Sequence, residues 1–330
     1  MATAKQMIAL IKGHVLKDEE QFLSLALQVA ASEARQGRQE TADEIKKLVD
    51  KARSGSHPAS ATAIPMVRPR ADLEDVVTAS YPKTKLSDVV LGPAVADRLA
   101  RLIRHQKQRK LLRDHGKRPM THVLLVGPPG TGKSLSASAI AGELHLPLFR
   151  IRLDTLITRY LGDTASKLRL VFDQVHAVRG VYFFDEFDAL GTQRNQAGEI
   201  GEMRRVLNSF LQFLEEENGT DSVIIGATNH PELLDRALFR RFGDVLRYVL
   251  PSDDEVVVLV QSLLDRRKSK SFDWEGIAKA GRGLSQADIV AATDDVLKDA
   301  ILDGTAEVSA ASIINALEMR RTSRDTASQL

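Results

Sequence analysis

The chain contains no cysteine in its 330 residues. Disulfide bridges, thiolate zinc sites and a thiol nucleophile are therefore excluded. Aromatic residues make up only 5%, with a single tryptophan, so aliphatic side chains should carry most of the packing. No charge of one sign dominates: 46 lysines and arginines face 44 aspartates and glutamates, a net charge of +2. Such a balance does not describe a dedicated nucleic-acid binder, although a local patch would still serve as one. No run approaches the eighteen or more apolar residues that a membrane span requires. The N-terminal stretch MATAKQMIALIKGHVLKDEE lacks an uninterrupted apolar core with a small-residue cleavage site behind it. A cytoplasmic protein with no direct membrane span is expected. Internal repeats and a zinc-protease HExxH are absent too. What remains is ordinary for a globular chain, with 43% hydrophobic and 27% charged residues and length enough for two or three domains.

Hydrophobic periodicity divides the chain. Residues 1–52 read as an N-terminal helical domain, with Met7, Ile8, Ile11 and Val15, then Phe22, Leu25, Ala26 and Val29, then Ala42, Ile45, Leu48 and Val49 at helical spacing. This unit is either an adaptor- or substrate-binding domain or a packed extension. Residues 53–75 are rich in Pro, Ser, Ala and Gly and read as a flexible linker. From 76 to 250 short β-type runs (THVLLV, LFRIRL, VYFFD, SVIIGAT, VLRYVL) alternate with helical stretches expected near 132–144, 164–177 and 200–216. That is the grammar of an α/β core with a mostly parallel sheet covered on both faces. Residues 251–320 hold only helical patterns, at 253–267, 274–280, 285–303 and 309–319, and read as a helical lid; 321–330 are a tail. A helix is also expected through Val95, Leu99, Leu102 and Ile103. It runs into a basic stretch, 101–118, open to two readings: a solvated or subunit-boundary surface, or a DNA-contacting patch.

The chemistry begins at VGPPGTGKS. Glycines 127, 130 and 132 let backbone N–H groups converge on phosphate oxygens, and a helix starting near Gly132 points its positive end at the same place. Lys133 should span the β and γ phosphates and the Ser134 hydroxyl should ligate Mg²⁺. The signature follows a strand and precedes a helix, which is the context it needs. Further on, VYFFDEFDAL delivers Asp185 and Glu186 at the tip of an apolar strand. Asp185 would complete the metal site and Glu186 would polarise the water attacking the γ phosphate. The strand SVIIGATN ends at Asn229, whose amide would orient the same water if the two strand tips are neighbours.

These motifs, with RYLGDT at 159, ATNHPELLDRALFRRF at 227 and GLSQAD at 283, resemble the AAA ATPases over about residues 84–320. The similarity is to the branch of protein unfoldases, membrane-protein extractors and microtubule severers. The resemblance implies a P-loop NTPase core with a helical lid, using ATP and Mg²⁺. Gly127, Pro128, Pro129, Gly130, Thr131, Gly132, Lys133, Ser134 and Leu135 would hold the nucleotide, joined from the lid by Gly283, approaching closely, and Ser285, a helix N-cap. Where many relatives carry a sensor arginine on the lid, this chain has Gln286 or Ala287. Arg240 and Arg241 match the arginines that reach a neighbouring subunit's nucleotide, which implies a homo-oligomer, most often a hexameric ring. Tyr160, Leu161 and Gly162 match a pore loop that grips polypeptide, and 191–199 with Arg194 resembles a second pore loop more weakly.

The function expected on that basis is an ATP-hydrolysing, chaperone-like remodeller that pulls a protein substrate through a central pore. An adaptor or a separate protease chain would act through the N-terminal domain. Two alternatives stand beside it. A nucleic-acid-directed ATPase, such as a loader or transposition helper, is motivated by the basic stretch but opposed by the Tyr–Leu–Gly pore element. A nucleotide-gated scaffold is opposed by the complete hydrolytic set.

Overall fold

The computed structural model describes residues 29–30, 39, 41–44, 46–47, 49, 71–156, 161–190, 197–264, 272–305 and 307–327, with 71, 161–163, 190, 197–204, 236 and 324–327 described by backbone alone. The chain divides into two units, Met1–Val67 and Arg68–Leu330. In the first, the described residues are helical; Val29, Ala30, Ala42 and Val49 are buried while Asp43, Glu44, Lys46 and Lys47 are exposed.

In the second unit, five short apolar runs form strands because their neighbours cover both faces. They are β2 (His122–Val126), β3 (Leu148–Ile151), β4 (Val181–Phe184), β5 (Val223–Thr228) and β6 (Val245–Arg247). A further strand, β1 (Val77–Ser80), pairs antiparallel with β3; the other pairings are parallel, in the order β1-β3-β4-β5-β2-β6. Side chains alternate between faces as a pleated strand requires. Val123, Leu125, Val181, Phe183, Val223, Ile225 and Ala227 share one core with Val95, Leu99, Leu102 and Ile103 of helix α1 (Pro93–Lys107) and with Ala137, Ile140 and Ala141 of α3 (Lys133–Leu144). Between those helices lies α2 (Arg109–Asp114), so the expected continuous helix breaks at Gln108.

On the opposite face, Phe184 meets Phe172 of α5 (Leu161–Ala177) and Phe210 of α6 (Ala197–Glu215) at ring-centroid distances of 6.1 and 5.3 Å. A one-turn helix, α4 (Leu153–Leu156), precedes α5, and α7 (Arg236–Arg241) follows β5. Among the described residues after β6 lie four helices, in the part expected to form the lid: α8 (Asp253–Leu264), α9 (Trp274–Gly281), α10 (Gln286–Leu302) and α11 (Ala310–Ala327). They bury Val256, Val260, Leu264, Ile277, Leu284, Ile289, Ile313 and Leu317 in a core of their own. The last helix runs well past its expected end at 319, into the segment read as a tail.

Candidate active site

Sheet order sets the site. Because β5 lies between β4 and β2, its C-terminal tip stands between Asp185 and the phosphate-type loop; Val126 is paired with Thr228, and the Gly127 N–H donates to the Thr228 carbonyl at 3.3 Å. Asn229, half-buried, is therefore the next residue out of the strand lying between those two elements. All three glycines of the loop have positive φ, +149° at Gly127, +75° at Gly130 and +91° at Gly132, where a Cβ is strained. At Gly127 the demand is also spatial: a Cβ would lie 2.2 Å from the Tyr248 carbonyl oxygen at the end of β6. Tyr248 itself is anchored through its hydroxyl, which donates to Ser136 Oγ of α3 at 2.8 Å, and burial pushes that phenol up to about 12.

Lys133 opens α3 and is buried; its ammonium donates to the carbonyls of Gly127 and Pro128, 2.7 Å each. Burial lowers its pKa, and the carboxylates of Asp185 and Asp188 oppose that drop. Ser134 donates to Asp185 Oδ2 at 3.2 Å, so the two oxygen donors named for the metal converge from different elements. A hydroxyl beside one carboxylate, completed by phosphate and water, suits Mg²⁺. Among the described residues no cluster of three or more His, Asp and Glu offers a cage for another ion. Glu186 is exposed and has φ +50°, rare for a residue with a side chain; its N–H donates to Asp185 Oδ1 at 3.1 Å and its carbonyl accepts from Ala189 at 2.9 Å. The carboxylate next to the metal-type aspartate thus projects from a tight, strained turn, as reactive groups often do.

The lid touches the phosphate-type loop directly. Ser285 caps α10: its hydroxyl accepts from the Asp288 N–H at 3.2 Å, and its own N–H donates to Asp288 Oδ2 at 3.1 Å. A Cβ on Gly130 would meet that hydroxyl at 2.5 Å, and the Ala287 N–H donates to the Gly130 carbonyl at 3.0 Å. Gln286 lies between these contacts, its Oε1 buried without a partner among the described residues. Gly283 has φ +82°, a conformation that favours glycine, and a Cβ there would meet no protein atom within 4 Å.

The family model for the ATPase family associated with various cellular activities (AAA) matches residues 123–249, the span that holds this geometry. The chain is 32% identical over 300 residues to the uncharacterized AAA family ATPase y4kL of Sinorhizobium fredii, covering 91% of this chain and 90% of that one. The chain belongs to the AAA ATPase family. It is also 34% identical over 209 residues to a putative 26S proteasome regulatory subunit homolog of Methanothermobacter thermautotrophicus, covering 61% of this chain and 55% of that protein, so it spans about half of that relative's length. The crystal structure of the FIGL-1 AAA domain has the same fold, with a TM-score of 0.58 at 23% identity over 74% of this chain and 86% of that one. This AAA ATPase binds and hydrolyses ATP. Among its described residues no helix is long and apolar enough to cross a membrane.

The two arginines of α7 have different surroundings. Arg241 is ion-paired with Glu215 at the end of α6, whereas Arg240 is exposed and no carboxylate pairs with it among the described residues. Tyr160 and the 191–196 part of the second pore-type element, Arg194 included, lie outside the described residues. Leu161 and Gly162 are the first two residues of α5, which begins earlier than the expected position near Thr164. Leu135, in the first turn of α3, is 45% exposed.

Sequence reasoning passed over several supporting residues. The Thr228 hydroxyl donates to Asp188 Oδ1 at 2.7 Å and accepts from the His230 N–H at 3.0 Å, tying the β5 tip to the turn that follows Glu186. Arg150 of β3 lies 3.8 Å from Asp185 Oδ2 and 5.4 Å from the Phe183 ring centroid. The aspartate of FDAL beside a strand-end threonine was the available signal for the first pair; nothing local marks Arg150.

Proposed function

We propose that this AAA ATPase is a ring-forming protein remodeller in which hydrolysis in each subunit is completed by a neighbour. The observation that carries the reading is Arg240: the phosphate-type loop, Asp185, Glu186 and Asn229 gather in one chain, while this exposed arginine has no carboxylate partner among the described residues. An arginine supplied across a subunit boundary stabilises the charge that develops on the transferred phosphoryl group, which makes turnover depend on assembly. Within one subunit, Lys133 and the loop N–H groups bind the β and γ phosphates. Ser134 and Asp185 would hold Mg²⁺, which would supply positive charge to screen the phosphates. Glu186 takes the proton of the attacking water, and Asn229 orients that water. The lid, joined to the loop at Gly130 through Ser285 and Ala287, carries nucleotide state outward as a rigid-body rotation.

The pulled object is a polypeptide, gripped by Tyr160, Leu161 and Gly162, of which Leu161 and Gly162 open α5. The naming of one relative as a proteasome regulatory subunit homolog supports a protein substrate. Ion pairing weakens the nucleic-acid alternative, because much of the basic stretch is already engaged. Lys107 pairs with Glu143, Arg109 and Arg113 with Asp221, and Arg118 with Glu217. A cytoplasmic hexamer with an adaptor-binding N-terminal domain at 1–52, a linker at 53–75, the nucleotide core at 76–250 and the lid at 251–320 completes the proposal.

The test is ATP hydrolysis against protein concentration for the wild type, Arg240→Ala and Tyr160→Ala, with and without an unfolded protein. Cooperative wild-type activity stimulated by polypeptide is expected, lost altogether in Arg240→Ala and losing only the stimulation in Tyr160→Ala. Flat specific activity indifferent to polypeptide and to both substitutions would sink the reading; stimulation by DNA in its place would favour the loader class.

A further inference from the structure

Helix α7 has six residues, too few to hold its shape alone, so its neighbours decide where its last turn points. Three attachments do so. Asp235 caps its start, accepting from the Ala237 N–H at 2.8 Å. At its end the ring of Phe242 is buried against Phe187, edge-on at 5.7 Å, and Phe210, stacked at 6.5 Å. A Cβ on Gly226 of β5 would lie 3.1 Å from that ring, so the strand is shaped to admit it. The third attachment is the ion pair between Arg241 and Glu215.

The carboxylate side of that pair is unusual. Glu215 is the last residue of α6, and Glu216 and Glu217 follow just beyond it, where the helix dipole disfavours negative charge. Each is held by an arginine from a different element: Glu215 by Arg241 of α7, Glu216 by Arg169 of α5 at 2.6 Å, and Glu217 by Arg118 ahead of β2 at 2.9 Å. Adjacent residues on a helix project about 100° apart, so Arg240 and Arg241 do not face the same way. With Arg241 turned to Glu215, Arg240 is the guanidinium left outward.

We propose that Glu215 and Arg241 form a positioning pair that fixes the last turn of α7, so that Arg240 alone is the arginine delivered to the neighbouring subunit's nucleotide. This rests on the ring reading above and divides its two arginines between two tasks. Phe242 anchors the turn from beneath, and its contact with Phe187, the residue after Glu186, places the subunit's own water-activating turn and its outgoing arginine on one aromatic cluster. Glu215 and Arg241 are both solvent-exposed, with side-chain exposures of 58% and 36%, so separating them leaves no buried charge behind. Their removal should therefore affect turnover far more than folding.

The experiment compares kcat, KM for ATP and Tm for Arg240→Ala, Glu215→Gln, Arg241→Gln, the Glu215→Gln/Arg241→Gln double variant, and the reversed pair Glu215→Arg/Arg241→Glu. Arg240→Ala should lose about 10³-fold or more in kcat. Glu215→Gln and Arg241→Gln should each lose about 10- to 100-fold, the scale of a misplaced group, with KM unchanged. The double variant should be no worse than either single one. Tm should move by less than about 3 °C, as for an exposed pair. The reversed pair should recover most of the turnover. A reversed pair that folds yet is as inactive as Arg240→Ala would mean that Arg241 itself contacts phosphate, and would overturn the proposal. Losses that multiply in the double variant would overturn it as well, and this arm decides even if the reversed pair does not fold. A fully active Arg240→Ala with concentration-independent turnover is a separate pattern: it removes the ring reading and this proposal together.

Discussion

The phosphate-type loop offers a sharp comparison between two of its glycines. Gly127 and Gly132 both have positive φ, +149° and +91°, and both stand where nucleotide phosphates would bind. Their surroundings differ. A Cβ on Gly132 meets only Val89 Cγ1 at 3.8 Å, an ordinary contact, whereas one on Gly127 runs into the Tyr248 carbonyl oxygen at 2.2 Å. That carbonyl is backbone and cannot swing aside, because the Tyr248 N–H donates to the Val126 carbonyl at 2.7 Å and its hydroxyl is tied to Ser136. Gly132→Ala should therefore lose only the left-handed backbone strain, about 1–2 kcal/mol. Gly127→Ala should lose about 1–3 kcal/mol of strain and about 1–3 kcal/mol more from overpacking, or roughly 2–6 kcal/mol. The gain from a stiffer unfolded chain is common to both and drops out of the comparison. Urea unfolding followed by circular dichroism, without nucleotide and with matched m-values, reads the difference directly. Equal losses, or a larger loss in Gly132→Ala, would refute the argument that the Tyr248 carbonyl dictates glycine at 127.

Other perturbations follow from the same contacts. Burial pushes the His122 pKa down to about 4, so the unfolded chain takes up a proton that the native imidazole refuses. Stability should then fall as pH drops from about 6.5 to about 4, by roughly 2–3 kcal/mol from this residue, and a His122→Gln variant should flatten that part of the stability–pH curve. Phe210 is fully buried and its ring meets those of Phe172, Phe184, Phe187 and Phe242. Phe210→Ala should destabilise by about 3–5 kcal/mol in chemical denaturation, and a loss under about 1 kcal/mol would contradict the burial. Ser285→Ala removes the cap of α10 and should lower stability by about 1 kcal/mol; a Ser285→Asp variant that keeps an acceptor should lose less in the same titration.

Much of the site was legible because its chemistry is local. Three glycines with a lysine and a serine between a strand and a helix can be read without knowing what lies across the sheet. An apolar strand ending in Asp185-Glu186 is equally local, and so is the Ser285-to-Asp288 capping box. The aliphatic spacing of Val95, Leu99, Leu102 and Ile103 likewise marked the buried face of α1, and all four are buried. Strand β1 escaped notice because its four residues, VTAS, carry little apolar signal and pair antiparallel with β3, some seventy residues further along the chain. The basic stretch was ambiguous for a related reason. Its partners Glu143, Asp221 and Glu217 lie far along the chain, and charge composition alone does not reveal pairing.

The sequence by itself determined the backbone chemistry of this ATPase: which residues can bend around phosphates, which strand tips carry carboxylates, which helices have a buried stripe. These depend on side chains within a few positions of one another. Tertiary structure decided the order of the strands, which sets β5 and Asn229 between the loop and Asp185. It also decided that Gly127 answers to the Tyr248 carbonyl. Most of all it separated two neighbouring arginines, indistinguishable in the string RALFRRF. The carboxylate that engages Arg241 lies 26 residues earlier, at the end of another helix, and only the packing of α6 against α7 brings it within reach.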